Sequence, residues 1–228
     1  MISTRSNFDE KIPKIIHQTA PADKSKWHPL WEPCQKTWKE KFPGWEYKFW
    51  SDEDLDALIA TKYPWFLETY NGYDKKIKKI DAARYFILYE HGGVYADMDF
   101  ECINNFEHVL PGDKVSIAES PYKNDGRGET HQNALMASPP KHPFWEKVFS
   151  LLEENKHRND VLYATGPQII VKAVKELSHY VNTLDSKRFA PEHDSNFKSA
   201  WKNGVKTPQT ISDPNIFSRH HGTGVWGV

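Results

Sequence analysis

The sequence predicts an α/β layer fold with a largely parallel or mixed sheet, and three observations carry it. Short apolar runs rich in Ile, Val, Tyr and Phe alternate with longer stretches of helical periodicity, the order that builds a helix-covered sheet. At 228 residues the chain can bury one large core, so a single domain over 1–228 is expected. No internal repeat, low-complexity tract or linker divides it.

The first strand is read in "KIPKIIHQT", 11–19, where Ile12, Ile15 and Ile16 are apolar and Pro13 sits near the start. Residues 30–42 read as a helix around Trp31 and Trp38, stopped by Pro43-Gly44. "WEYKFW", 45–50, alternates as a second strand. Ser51 is then an N-cap, with Asp54 three positions on, for a helix over 52–63. A long helix is expected over 75–91, with Ile77, Ile80, Ala83, Ile87 and Leu88 apolar, and Gly92-Gly93 ends it. A strand through Val94, Ala96, Met98 and Phe100 follows, then one in "KVSIAE", 114–119. Helices are read at 142–154 and 165–181. The last forty residues are rich in Pro, Gly and His and have no period; such a tail either wanders or folds over a site.

Composition excludes several classes. A formal charge of −1 with 27% charged residues implies neither a nucleic-acid footprint nor an acidic tail. No apolar run approaches the roughly 20 residues of a membrane span. The N-terminal residues lack a signal peptide's apolar stretch, and no N-x-Ser/Thr sequon occurs. Cys34 and Cys102 make no disulfide framework and read as reduced thiols. A soluble, cytoplasmic protein without a membrane anchor is the expectation. Aromatic content is 14%, with six of the nine tryptophans in the first 65 residues. Most belong to a core, while a few could stack on a base or sugar ring; composition does not choose.

The chemistry concentrates in "HGGVYADMDFEC", 91–102. Read as a strand, it points Asp97 and Asp99 to one face, with Tyr95 beside them. Two carboxylates that close repel unless a cation sits near them, so Asp-x-Asp is a natural grip for Mg²⁺ or Mn²⁺. Two solvated aspartates at a strand end are the plainer alternative. An EF-hand loop fails because Cys102 stands at the position that needs glycine. An aspartate-based phosphatase would continue with Thr or Val where Glu101 stands. The remaining use, holding a sugar nucleotide's diphosphate through a metal, needs helpers. Asp81 and Arg84, three apart on the preceding helix, share a face, though an exposed ion pair would look the same. The tail "RHHGTGVWGV" offers two histidines and a tryptophan.

Together, "IPKIIHQT", "DAARYFILYEHGGVYADMD" and "HHGTGVW" resemble glycosyltransferase family 32, the DXD sugar-transferases related to the yeast initiating α-1,6-mannosyltransferase and, distantly, the clostridial glucosylating toxins. The resemblance implies a GT-A glycosyltransferase fold, a Rossmann-like mixed sheet flanked by helices, with residues 185–228 closing over the donor site. It also implies a retaining, Mn²⁺- or Mg²⁺-dependent transfer of a hexose from GDP-mannose or a UDP-hexose to a glycan or glycoconjugate hydroxyl.

By the same resemblance Asp81 and Arg84 contact the donor sugar and its phosphates, Tyr95 sits against the nucleotide, and Asp97 reaches the ribose or a metal-bound water. Asp99 binds the metal directly. His17 and Gln18 line the base pocket and Asn133 borders the donor sugar. His221, with His220 the close alternative, is the third metal ligand, and Trp226 closes the donor site. Val225 stands where the family usually has Ser, so a hydroxyl contact to the diphosphate is lost or passes to Thr223. With no spare carboxylate as nucleophile, a front-face transfer is expected. The alternatives are a nucleotide-sugar hydrolase, a non-catalytic sugar-nucleotide-binding module and a toxin-like protein glucosyltransferase.

Overall fold

Segments between residues 15 and 184 align into one six-stranded sheet, and a two-stranded ribbon stands beside it. The computed structural model describes residues 11–121, 128–191 and 213–223. In chain order the elements are β1 (Ile15–Thr19), α1 (Trp31–Lys41), β2 (Glu46–Trp50), α2 (Asp52–Lys62), α3 (Leu67–Gly72), α4 (Lys76–His91), β3 (Gly93–Ala96), β4 (Phe100–Cys102), β5 (Val115–Glu119), β6 (His131–Ser138), α5 (Phe144–Asn155), α6 (Val161–Ala164), α7 (Pro167–Glu176), β7 (Val181–Leu184), α8 (Ser186–Phe189) and β8 (Ser218–His220). The sheet order is β2-β1-β3-β6-β5-β7. β1 runs parallel to β2 and β3, and β5 parallel to β7, while β6 is antiparallel to both its neighbours. The mixed α/β sheet expected from the sequence is present.

Local chemistry sets the element ends. Ser51 and Asp54 form the expected capping box, each side chain accepting from the other's backbone N–H. α4 is buried along most of its length, from Asp81 to Leu88 without a break, as a helix with apolar residues on every side must be. Gly92 and Gly93 then turn the chain into β3 with φ of 62° and 88°, the left-handed region that glycine tolerates. A Cβ at Gly93 would lie 2.6 Å from the Ile15 carbonyl oxygen.

Successive residues of β3 feed opposite faces of the sheet. Tyr95 joins Ile117, Met136 and the aromatic ladder of α4 and α5, where Phe86 and Phe149 stack at 4.1 Å. Val94 and Ala96 join Leu135, Trp38, Phe106 and Phe189 on the other side. Both faces are therefore covered, which fixes register tightly.

Three expectations are corrected. The strand expected through Phe100 stops at Ala96: the Phe100 N–H donates to the Asp97 carbonyl at 3.0 Å, closing a turn, and β4 then pairs with β8. The helix expected over 165–181 is α7, a short 3-10 turn and strand β7. β6 was not expected at all. The two cysteines are free and buried. Among the described residues no helix is long and apolar enough to cross a membrane.

Candidate active site

Because α4 is buried, its Asp81 and Arg84 meet away from bulk water, not as the exposed pair the spacing alone allowed. Arg84 spreads its guanidinium over three acceptors: Nη2 donates to Asp81 Oδ1 at 2.8 Å, and Nη1 to Asp97 Oδ1 at 2.9 Å and the Asn133 carbonyl at 3.0 Å. Asn133, on β6, returns its amide to Asp81 Oδ1 at 3.2 Å and to the Tyr85 hydroxyl at 3.1 Å. Burial pushes the Asp81 carboxyl up to about 7, with Arg84 pulling it back and Asp97 adding to the rise.

The turn after β3 presents the aspartates. Tyr95 also donates to Asp97 Oδ1, at 2.9 Å, and Gln18 holds the Asp97 carbonyl at 3.1 Å. Burial, and then the nearby Asp99, push the Asp97 carboxyl up against the pull of Arg84. Asp99 goes the other way. Burial opposes its ionisation, but His220 and the hydrogen bonds from Thr223 outweigh this and hold its carboxyl below the usual range. The Thr223 N–H and hydroxyl both donate to Asp99 Oδ2, at 2.8 and 3.0 Å.

The ribbon register sets Phe100 opposite His220, which stacks on the Phe100 ring and brings Nε2 to 3.4 Å from Asp99 Oδ1. Asp97, Asp99 and His220 each offer a ligand atom, all within 4.8 Å of one another. Ligands about 2.1 Å from a six-coordinate ion stand roughly 3 to 4 Å apart, so two carboxylates and an imidazole at this spacing fit a divalent cation. The histidine brought to the pair is His220. His221, the expected ligand, points to the other side of the strand, where its Nε2 donates to Glu101 at 3.0 Å.

The acidic cluster and Arg84 lie in the wall of a cavity of about 1100 Å³. Asp81, Asn133 and Thr19 line it too. His17 and Gln18, on β1 itself, do not; both side chains are buried. His17 accepts from Trp50 at Nδ1 and donates from Nε2 to the Gly92 carbonyl, which makes it part of the core. Gln18 and Tyr95 fix Asp97 from opposite faces of the sheet, one at its carbonyl and the other at its carboxylate. Trp226 and Val225 lie outside the described residues.

Comparison with known proteins decides the family. The model of the glycosyltransferase sugar-binding region containing the DXD motif matches residues 29–116, which hold α4 and both aspartates. Mannosyl phosphorylinositol ceramide synthase CSH1 of Saccharomyces cerevisiae is 33% identical over 77% of this chain and 46% of its own length. The chain belongs to the DXD glycosyltransferase family. Inositol phosphoceramide mannosyltransferase 3 of Schizosaccharomyces pombe is 32% identical over 86% of the chain and 57% of its own length. The chain thus spans about half the length of these curated relatives. The solved PaToxG glycosyltransferase superposes with a TM-score of 0.54 at 15% identity, over 85% of this chain and 75% of that one. The fold is the GT-A glycosyltransferase fold.

Three residues of this DXD site escaped sequence reasoning. Trp31 lines the cavity and donates from its indole to the Thr223 hydroxyl at 3.2 Å. Glu129 and Gln132 stand in the wall where β6 begins. β6 opens on His131, Gln132 and Asn133, so its start gave no periodic signal to find Gln132 by.

Proposed function

We propose that the chain is a metal-dependent, retaining glycosyltransferase that moves a hexose, mannose before others, from a nucleotide sugar to an acceptor hydroxyl. One observation carries this: Asp97, Asp99 and His220 converge beside the Arg84 guanidinium in the wall of one large cavity. Mn²⁺ or Mg²⁺ held by these three would supply a Lewis acid for the departing diphosphate. Arg84, locked by Asp81, Asp97 and the Asn133 carbonyl, adds a positive charge that need not reorganise as the anomeric bond breaks. Asp81 faces the same cavity and can accept a hydrogen bond from a donor-sugar hydroxyl. Asp81 and Asp97 both hold Arg84, Asp99 is tied to Thr223 and Glu129 accepts from the Ser120 hydroxyl, so each of these wall carboxylates is engaged, which favours a front-face attack over a covalent glycosyl intermediate.

The relatives' names support mannose as the sugar, since both are named for mannosyl transfer. They also suggest the acceptor. Ile77, Ile80, Leu162 and Pro167 make an apolar stretch of cavity wall beside Lys75 and Lys76, which suits a glycoconjugate with an apolar body and an anionic group, as inositol phosphoceramide has. The test is a transfer assay with GDP-mannose and UDP-hexoses, with and without Mn²⁺, on wild type and Asp99→Asn, with free sugars and glycolipids as acceptors. Mn²⁺-dependent transfer from one donor with retained anomeric configuration, reduced at least about 100-fold in the variant, is expected. Donor cleavage to free sugar with every acceptor would make the chain a hydrolase. Equal activity in Asp99→Asn would refute the metal assignment.

A further inference from the structure

Behind the acidic cluster lies a second set of buried charges that the transfer chemistry does not touch. Glu101 sits on β4 and is 6% exposed. Its Oε2 accepts a hydrogen bond from His221 Nε2 at 3.0 Å and pairs with Arg219 Nη1 at 3.7 Å. These are the two residues on either side of His220. Register puts Arg219 directly opposite Glu101, and the His221 N–H donates to the Asp99 carbonyl at 2.9 Å. One carboxylate therefore ties both sequence neighbours of His220 to the strand that begins one residue after Asp99. Side chains alternate along β8, so the tie on one face sets the direction of the His220 ring on the other.

We propose that Glu101 is a positioning residue for the metal site: it holds His220 at the Asp97–Asp99 pair without binding the ion itself. This rests on the reading of Asp97, Asp99 and His220 as metal ligands. The physical reason is one of reach. Asp99 and His220 are 121 positions apart in sequence, and the ribbon that joins them has only three residue pairs. So short a ribbon is marginal alone, and a buried charge pair leaves a strong preference for one arrangement because breaking it strands an ion away from water. Removing the carboxylate frees Arg219 and His221 to re-pair, and the His220 ring loses its fixed direction.

The experiment measures Mn²⁺ affinity by electron paramagnetic resonance on the whole chain without nucleotide, for wild type, Glu101→Gln, His221→Gln and Asp99→Asn. Thermal unfolding without metal checks that each variant is folded. His221→Gln, which severs one tie and leaves Glu101 paired with Arg219, carries the test if Glu101→Gln does not fold. The expected result is a Kd raised about 10- to 100-fold in Glu101→Gln and by less in His221→Gln, the loss typical of residues that orient metal ligands. Wild-type affinity in a folded Glu101→Gln or His221→Gln, while Asp99→Asn loses binding, would overturn the positioning role and leave the metal site standing. Wild-type affinity in Asp99→Asn would overturn the metal site, and the inference with it.

Discussion

Both ring nitrogens of His17 are engaged in its neutral form, one accepting from Trp50 and the other donating to Gly92. A proton added at Nδ1 would face the indole N–H. Burial, with smaller contributions from His91 and Lys48, lowers its pKa from 6.5 to about 3 against the pull of the Gly92 carbonyl. Above pH 6.5 folded and unfolded chains are both neutral here, so His17 costs nothing. Below it the unfolded chain takes up a proton that the folded chain refuses, and stability falls until about pH 3. Between pH 6.5 and 5 the loss is about 2 kcal/mol. Asp81, whose carboxyl is raised to about 7, works in the opposite sense over the same range, because the folded chain binds its proton first. Comparing the slopes of unfolding free energy against pH for wild type and His17→Gln isolates the histidine. A shallower fall in the variant is expected, and equal slopes would mean that His17 is not held neutral. The residue type was visible in the sequence, but its side-chain direction was not, since alternation along β1 says which residues share a face and not which face meets the cavity.

At the scale of elements, the Gly92-Gly93 junction places the site. It ends α4 after Arg84 and starts β3 four residues before Asp97, so any change in its path moves charge relative to charge. Gly93→Ala must place a methyl 2.6 Å from the Ile15 carbonyl oxygen at a φ of 88°. Strain there and a displaced β1–β3 pairing should cost about 2–4 kcal/mol, read as a lower urea midpoint with an unchanged slope. A midpoint within experimental error of wild type would show that the junction relaxes freely. Elements whose cause is local were legible: the capping box of α2, the buried face of α4 and the glycine stop after it. The break at Asp97 was not, because Met98 is buried in the turn and keeps the apolar alternation going. What ends β3 there is the pairing of β4 with β8, a partner more than a hundred residues away. β6 was hidden for a related reason. Its polar residues Gln132 and Asn133 face the cavity, so no period of two appears at its start.

At the scale of the molecule, the site is assembled from separate stretches: the end of β1, α1 at Trp31, α4 with the DXD turn, the start of β6, Leu162 and Pro167 of α6 and α7, and residues 220–223. None of these can hold a nucleotide and a cation alone, so a ligand that bridges them binds the folded chain and not the unfolded one. Such a ligand stabilises by RT ln(1 + [L]/Kd), about 2.7 kcal/mol at a hundredfold excess over Kd. For a chain of this size each kcal/mol raises Tm by about 2–4 °C, so a shift of roughly 5–10 °C is expected with Mn²⁺ and the right nucleoside diphosphate together. GDP and UDP, each with and without Mn²⁺, distinguish the base. His220→Ala tests whether the last stretch belongs to the same unit. If it does, the Mn²⁺-dependent part of the shift disappears while any metal-free nucleotide shift stays. If the full shift survives in His220→Ala, the ribbon is a cover beside the site, and the aspartates of the turn hold the ion without it.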